Sequence, residues 1–164
     1  MELQKKLQLL AWNAREEGYE PGHENVFTIK LTDLINKYGM ERVHNEIKLC
    51  SYFKYCIEAY LPTIAHIADD DDNLLQIASD IITPYVFSND ICERETALSA
   101  VSYIEKFPGK RELLEKALKF EKNVWLIEYI NSLIAEYLCT QLANLWNVEV
   151  TKGRTKGRTK GSKG

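Results

Sequence analysis

The chain has 164 residues, 45% apolar and 27% charged, with a formal net charge of −3. That is enough apolar material for one sizeable core and too much for a disordered chain. No run approaches the 18 or more uncharged apolar residues needed to cross a bilayer, and the charged start Met1–Gln8 leads into no long apolar stretch, so neither a membrane span nor a signal or transit peptide is expected. The expectation is a soluble cytoplasmic protein with no membrane partner, its four cysteines reduced and mostly buried.

Apolar residues recur at helical spacing nearly everywhere, and strand-like alternation is almost absent, which predicts an all-α fold. Leu3, Leu7, Leu10 and Ala14 form a first stripe that ends near Gly18. Residues 18–30 hold Gly18, Pro21 and Gly22 and read as the main loop, anchored by Val26, Phe27 and Ile29. Thr32 is placed to cap a short helix through Leu34, Ile35 and Tyr38, with Gly39 to stop it. A longer helix is expected through Val43, Ile47, Cys50, Ile57 and Leu61, kinked or ended by Pro62.

Four aspartates, Asp69–Asp72, precede the next apolar stripe, Leu74 to Ile82, where carboxylates favour the positive end of a helix and Asp72 can cap it. Pro84 lies near the end of that helix. Ser88-Asn89-Asp90 opens another that runs to about Lys106, and Pro108-Gly109 punctuates it. Residues 110–121 form a short amphipathic helix, and residues 123–146 a final one. Its wide face, Ile127, Ile130, Leu133, Ile134, Tyr137, Leu138, Leu142 and Leu145, predicts the most buried helix of the chain.

Residues 151–164 complete the chain with a repeated Thr-Lys-Gly-Arg unit, six cations, Lys152, Arg154, Lys156, Arg158, Lys160 and Lys163, and no acid. Nothing there offsets the entropy of ordering, so a disordered basic tail is expected after an all-α domain of residues 1–150. Before residue 151 stand 24 acidic and 15 basic side chains, a net of −9 that the total conceals.

One stretch carries a family pattern. Asp90, Arg94, Ala97, Ala100, Val101 and Ile104 are an acid opening a helix, an arginine four residues on, small packing positions and core aliphatics. With the preceding helix, residues 73–106 resemble a single HEAT-type helical repeat. The resemblance implies that Arg94 bridges neighbouring helices and that the alanines sit at a close helix contact. Neighbouring segments do not repeat the pattern at a clear period, so an irregular bundle and a short HEAT-like stack both stand as architectures.

Candidate sites for chemistry each meet a physical objection. Glu41-x-x-His44 has the spacing of helical di-iron ligands, but its companion Glu20-x-x-His23 is broken by Pro21 and Gly22. His44, Cys50 and Cys56 are six residues apart and point to different sides of one helix, so they cannot converge on zinc. Counted as a calcium loop from Asp69, the aspartate run has Leu74 where glycine is needed and Asp80 where a bidentate glutamate is needed. A helix-turn-helix about Gly39 would present two acids and one arginine to phosphates. No phosphate-cradling glycine loop, nucleophile elbow or thiol redox pair is present.

What remains points to binding. Tyr52 and Tyr55, with Lys48, offer rings and a cation for gripping a partner. The expectation is a non-enzymatic helical interaction module of adaptor, inhibitor or immunity type, without cofactor or metal, whose acidic body suits a basic protein partner. The alternative is a nucleic-acid-associated accessory protein whose six tail cations make nonspecific phosphate contacts.

Overall fold

The computed structural model describes residues 2–17 and 26–154; for residues 15–17 and 148–154 only the backbone is considered. The described residues form eight α-helices and no strand: α1 (Glu2–Glu17), α2 (Val26–Tyr38), α3 (Met40–Ile47), α4 (Ile57–Asp69), α5 (Leu75–Val86), α6 (Ile91–Tyr103), α7 (Lys110–Phe120) and α8 (Val124–Arg154). The all-α expectation holds. The chain divides into two compact units, Met1–Phe120 and Glu121–Gly164. The backbone of α8 continues four residues into the basic segment, and the expected disordered tail lies, for residues 155–164, outside the described residues.

The first unit is a helical bundle organised around α4, which packs on α2, α5 and, most extensively, α6. Ile57, Ala59, Tyr60, Leu61, Thr63, Ile64, Ala65 and Ala68 of α4 are all buried, so this helix is covered on several sides. The buried Thr63 hydroxyl on it is satisfied: Thr63 Oγ1 donates to the Ala59 carbonyl at 2.8 Å and lies 3.3 Å from Thr28 Oγ1 on α2. Pro62 sits inside α4 and does not end it. The carbonyl it leaves without an intrahelical donor belongs to Glu58, an exposed residue in the first turn of the helix.

Elsewhere the helix boundaries depart from sequence expectation for identifiable reasons. Val26 and Ile29 are not loop anchors, because Phe27, Leu31, Leu34 and Ile35 keep a helical stripe going and α2 starts seven residues earlier than a Thr32 cap would allow. Thr32 instead donates to the Thr28 carbonyl at 2.7 Å inside the helix. Gly39 does end α2, with φ 92°, a conformation that other residues reach only under strain; its amide closes on the Ile35 carbonyl, and its own carbonyl accepts from Val43 to start α3.

The aspartate run works as a fastener, but the capping residue is Asp71, not Asp72: Asp71 Oδ1 accepts from the Asn73 amide at 3.0 Å. Asp69 Oδ1 accepts from the Glu105 amide at 3.0 Å and Asp72 pairs with Lys106 at 3.2 Å, so the run ties the α4–α5 turn to the segment after α6. Asp90 caps α6 as expected, accepting from the Cys92 and Glu93 amides at 2.8 and 3.0 Å. Ala97 and Ala100 are buried on α6, whose principal neighbours are α4 and α5. Arg94 reaches back to the Ser88 carbonyl at 3.0 Å.

The second unit is dominated by α8, whose 31 residues span about 46 Å at 1.5 Å per residue. Asn123 caps it: its Oδ1 accepts from the Leu126 amide at 3.1 Å, and Glu121 Oε1 accepts from the Asn123 amide at 3.2 Å. Leu126, Ile130 and Leu133 are its fully buried apolar side chains. From Cys139 to Asn147 every residue is exposed, so α8 is not the most buried helix that its wide apolar face predicts.

Candidate interaction site

Residues 48–56, read from sequence as helix interior, leave the α-helical path after Ile47. Successive bonds close every third residue: Cys50 N to Ile47 O at 3.0 Å, Phe53 N to Cys50 O at 3.1 Å and Cys56 N to Phe53 O at 2.9 Å. At three residues per turn, side chains three apart align. Cys50, Phe53 and Cys56 are accordingly buried, while Leu49, Tyr52 and Tyr55, also three residues apart, form a more exposed row. Leu49 is 73% and Tyr55 51% exposed, with Tyr52 half-buried between them.

Trp12 of α1, partly exposed and off the buried Leu3–Leu7–Leu10 stripe, meets this row. Its ring centroid lies 4.8 Å from that of Tyr52 in edge-to-face geometry, and Tyr52 lies 6.3 Å from Tyr55. The Lys54 ammonium sits 5.1 Å from the Tyr55 ring centre. Of the three residues that sequence singled out, Tyr52 and Tyr55 are thus brought together. Lys48 is exposed on the neighbouring row, and its charge bears on His44 one turn back along α3. Trp12 and Leu49 were missed; the i, i+3 run Leu49, Tyr52, Tyr55 was the available signal for Leu49.

Phe53 and Tyr60, neighbours of these rings along the chain, belong to the core. Their rings pack edge to face at 5.2 Å, and Tyr60 is fully buried. Tyr60 Oη and His44 Nδ1 share a 2.8 Å hydrogen bond. Burial first, and the Lys48 charge second, push the His44 pKa down to about 4, so the imidazole is neutral at physiological pH and serves as the partner of a buried hydroxyl. Among the described residues no group of three His, Cys, Asp or Glu side chains is placed to hold a metal.

Cys50 and Cys56 are buried as expected, but Cys92 and Cys139 are exposed. The first follows from its place in the first turn of α6, beside the Asp90 cap. Of the tail cations, Lys152 and Arg154 fall on the backbone of α8, while Lys156, Arg158, Lys160 and Lys163 lie outside the described residues. No described helix is long and apolar enough to cross a membrane.

Comparison with protein-family models, with curated proteins and with solved structures returns no match to this chain.

Proposed function

We propose that this chain is a non-enzymatic helical interaction module, acting in the cytoplasm, that grips a protein partner through the ridge of Leu49, Tyr52 and Tyr55 with Trp12 beside it. The observation that carries this reading is the exposure of Leu49 and Tyr55 beside the ring contacts that join Tyr55 to Tyr52 and Tyr52 to Trp12. Tyr and Trp bring large contact area at low entropic cost and dominate binding energy where they cluster. The net charge of −9 over residues 1–150 favours a basic partner, as an adaptor, inhibitor or immunity-type protein would meet, and speeds the encounter. The resemblance of residues 73–106 to a HEAT-type repeat fits this role, with the buried Ala97 and Ala100 as its close-packing positions.

The test compares the full chain with the double variant Tyr52→Ala, Tyr55→Ala as immobilised bait. Proteins retained by the former should be lost by the latter, with affinity reduced at least about thirtyfold, as for hot-spot truncation, while the helical circular dichroism of the native fold is kept. Retention indifferent to both substitutions would refute the reading. The charge division supports a second reading, in which the tail cations hold nucleic acid. That reading requires binding indifferent to base sequence, lost on removal of residues 151–164, and weakening with salt at a log–log slope of about −0.7 per engaged cation on single strands.

A further inference from the structure

Between α1 and α2, which pack on each other, lies a cavity of about 360 Å³ lined by Leu9, Leu10 and Leu34 and by Lys6, Lys30 and Lys37. Asp33 is the one acid among the lining residues. In a region where acids outnumber bases 24 to 15, this is a local reversal of sign. It lies around apolar surface, since Leu9 is 59% exposed. The lining runs from Lys6 to Asn13 on α1 and from Lys30 to Lys37 on α2, about 10 Å of each helix.

We propose that this groove binds a medium-chain aliphatic carboxylate, its chain along Leu9, Leu10 and Leu34 and its carboxylate at the Lys6–Lys37 end. The lined stretch, about 10 Å along each helix, is under two helical turns and matches the length of an extended medium-length acyl chain. The volume also falls at the lower end of small-ligand pockets, roughly 300–1,000 Å³. A carboxylate already stands at the proposed head-group position: Glu2 Oε1 pairs with Lys6 Nζ at 3.0 Å. The Lys6 hydrogen bond and charge, with Lys37 adding to them, hold the Glu2 carboxyl below its ordinary value, so a positive potential exists there for an anion to use. An incoming carboxylate takes the place of Glu2 at the Lys6 ammonium, with the Lys37 charge acting on it from nearby.

The experiment titrates the full chain with sodium decanoate at low salt, following backbone amide shifts, beside octanoate, decanol and decylamine. Decanoate should saturate one site with shifts centred on residues 6–13 and 30–37. Octanoate should bind more weakly by about fourfold per missing methylene, and decanol by about fivefold, the worth of exposed charge pairs. Glu2→Gln should tighten decanoate binding about two- to fivefold by freeing Lys6 and Lys37, and Lys6→Gln with Lys37→Gln should bring decanoate to the level of decanol. Leu9→Glu, at a position outside the core, should abolish binding without changing the melting temperature. Equal affinity for decanoate, decanol and decylamine would overturn the proposal. So would absence of saturation below the micelle-forming concentration, or an acidic amphipathic peptide that occupies the groove where decanoate does not. None of these outcomes bears on the Tyr52–Tyr55 ridge, which is tested separately.

Discussion

Helices α4 and α8 are both rich in apolar residues, and their fates are opposite. In α4, thirteen residues long, eight side chains are buried and an internal proline is tolerated. In α8, Leu142 and Trp146 are about two-thirds exposed, at 66% and 67%, with Leu145 close to them. The difference lies in neighbours, since α4 has α2, α5 and α6 packed around it. An apolar stripe states what a helix can bury, while the surrounding elements decide what it does bury.

The contrast can be tested by substitution, beginning where the effect should be largest. Ile64→Ala on α4 removes a fully buried side chain with neighbours on several sides and should cost about 2–5 kcal/mol in chemical denaturation. Ala100→Leu should cost about 1–3 kcal/mol by overpacking, because Ala100 is buried on α6, whose principal neighbours are α4 and α5. A neutral result would remove the close helix contact that the HEAT-type resemblance implies.

A smaller effect depends on pH. The His44 pKa is about 4 in the fold against 6.5 for an ordinary imidazole, so only the unfolded chain takes up this proton between those values. Stability from this group is full above pH 6.5, declines as pH falls toward 4, and is flat below. The stability difference between the native chain and His44→Gln should shrink across that window and stay constant above it. Smallest of all, Leu142→Gln and Trp146→Gln should each change stability by no more than about 0.5 kcal/mol. A loss of 2 kcal/mol or more would show that this half of α8 is covered in solution.

The sequence made the helical class, the Gly39 stop, the Asp90 cap and the α7 boundaries readable, because each depends on residues within one or two turns. It misled where a longer context decided. Cys50, Ile57 and Leu61 fit a 3.6-residue stripe well enough to hide the 3-10 path, although Cys50, Phe53 and Cys56 fit three residues per turn better. Pro62 looked terminal because its effect depends on where the freed Glu58 carbonyl faces. Of the candidate site, Tyr52 and Tyr55 were legible as exposed rings, but Trp12 joins them across about 40 residues of chain, and no local pattern encodes that encounter.

The four thiols give this molecule an internal chronometer. Cys92 and Cys139 are open to a maleimide in the native state. Desolvation and the carboxylates of Glu58, Asp90 and Glu95 push the Cys92 thiol up, so Cys92 should react more slowly than an unhindered thiol of ordinary pKa. Cys50 and Cys56 face inward, and burial lifts Cys56 to about 12. Their alkylation should therefore wait for the 48–56 connector to swing open. Mass-resolved labelling over time would then read the opening frequency of the very segment that presents Tyr52 and Tyr55, and a partner seated on that ridge should slow the second pair of modifications while leaving the first pair unchanged.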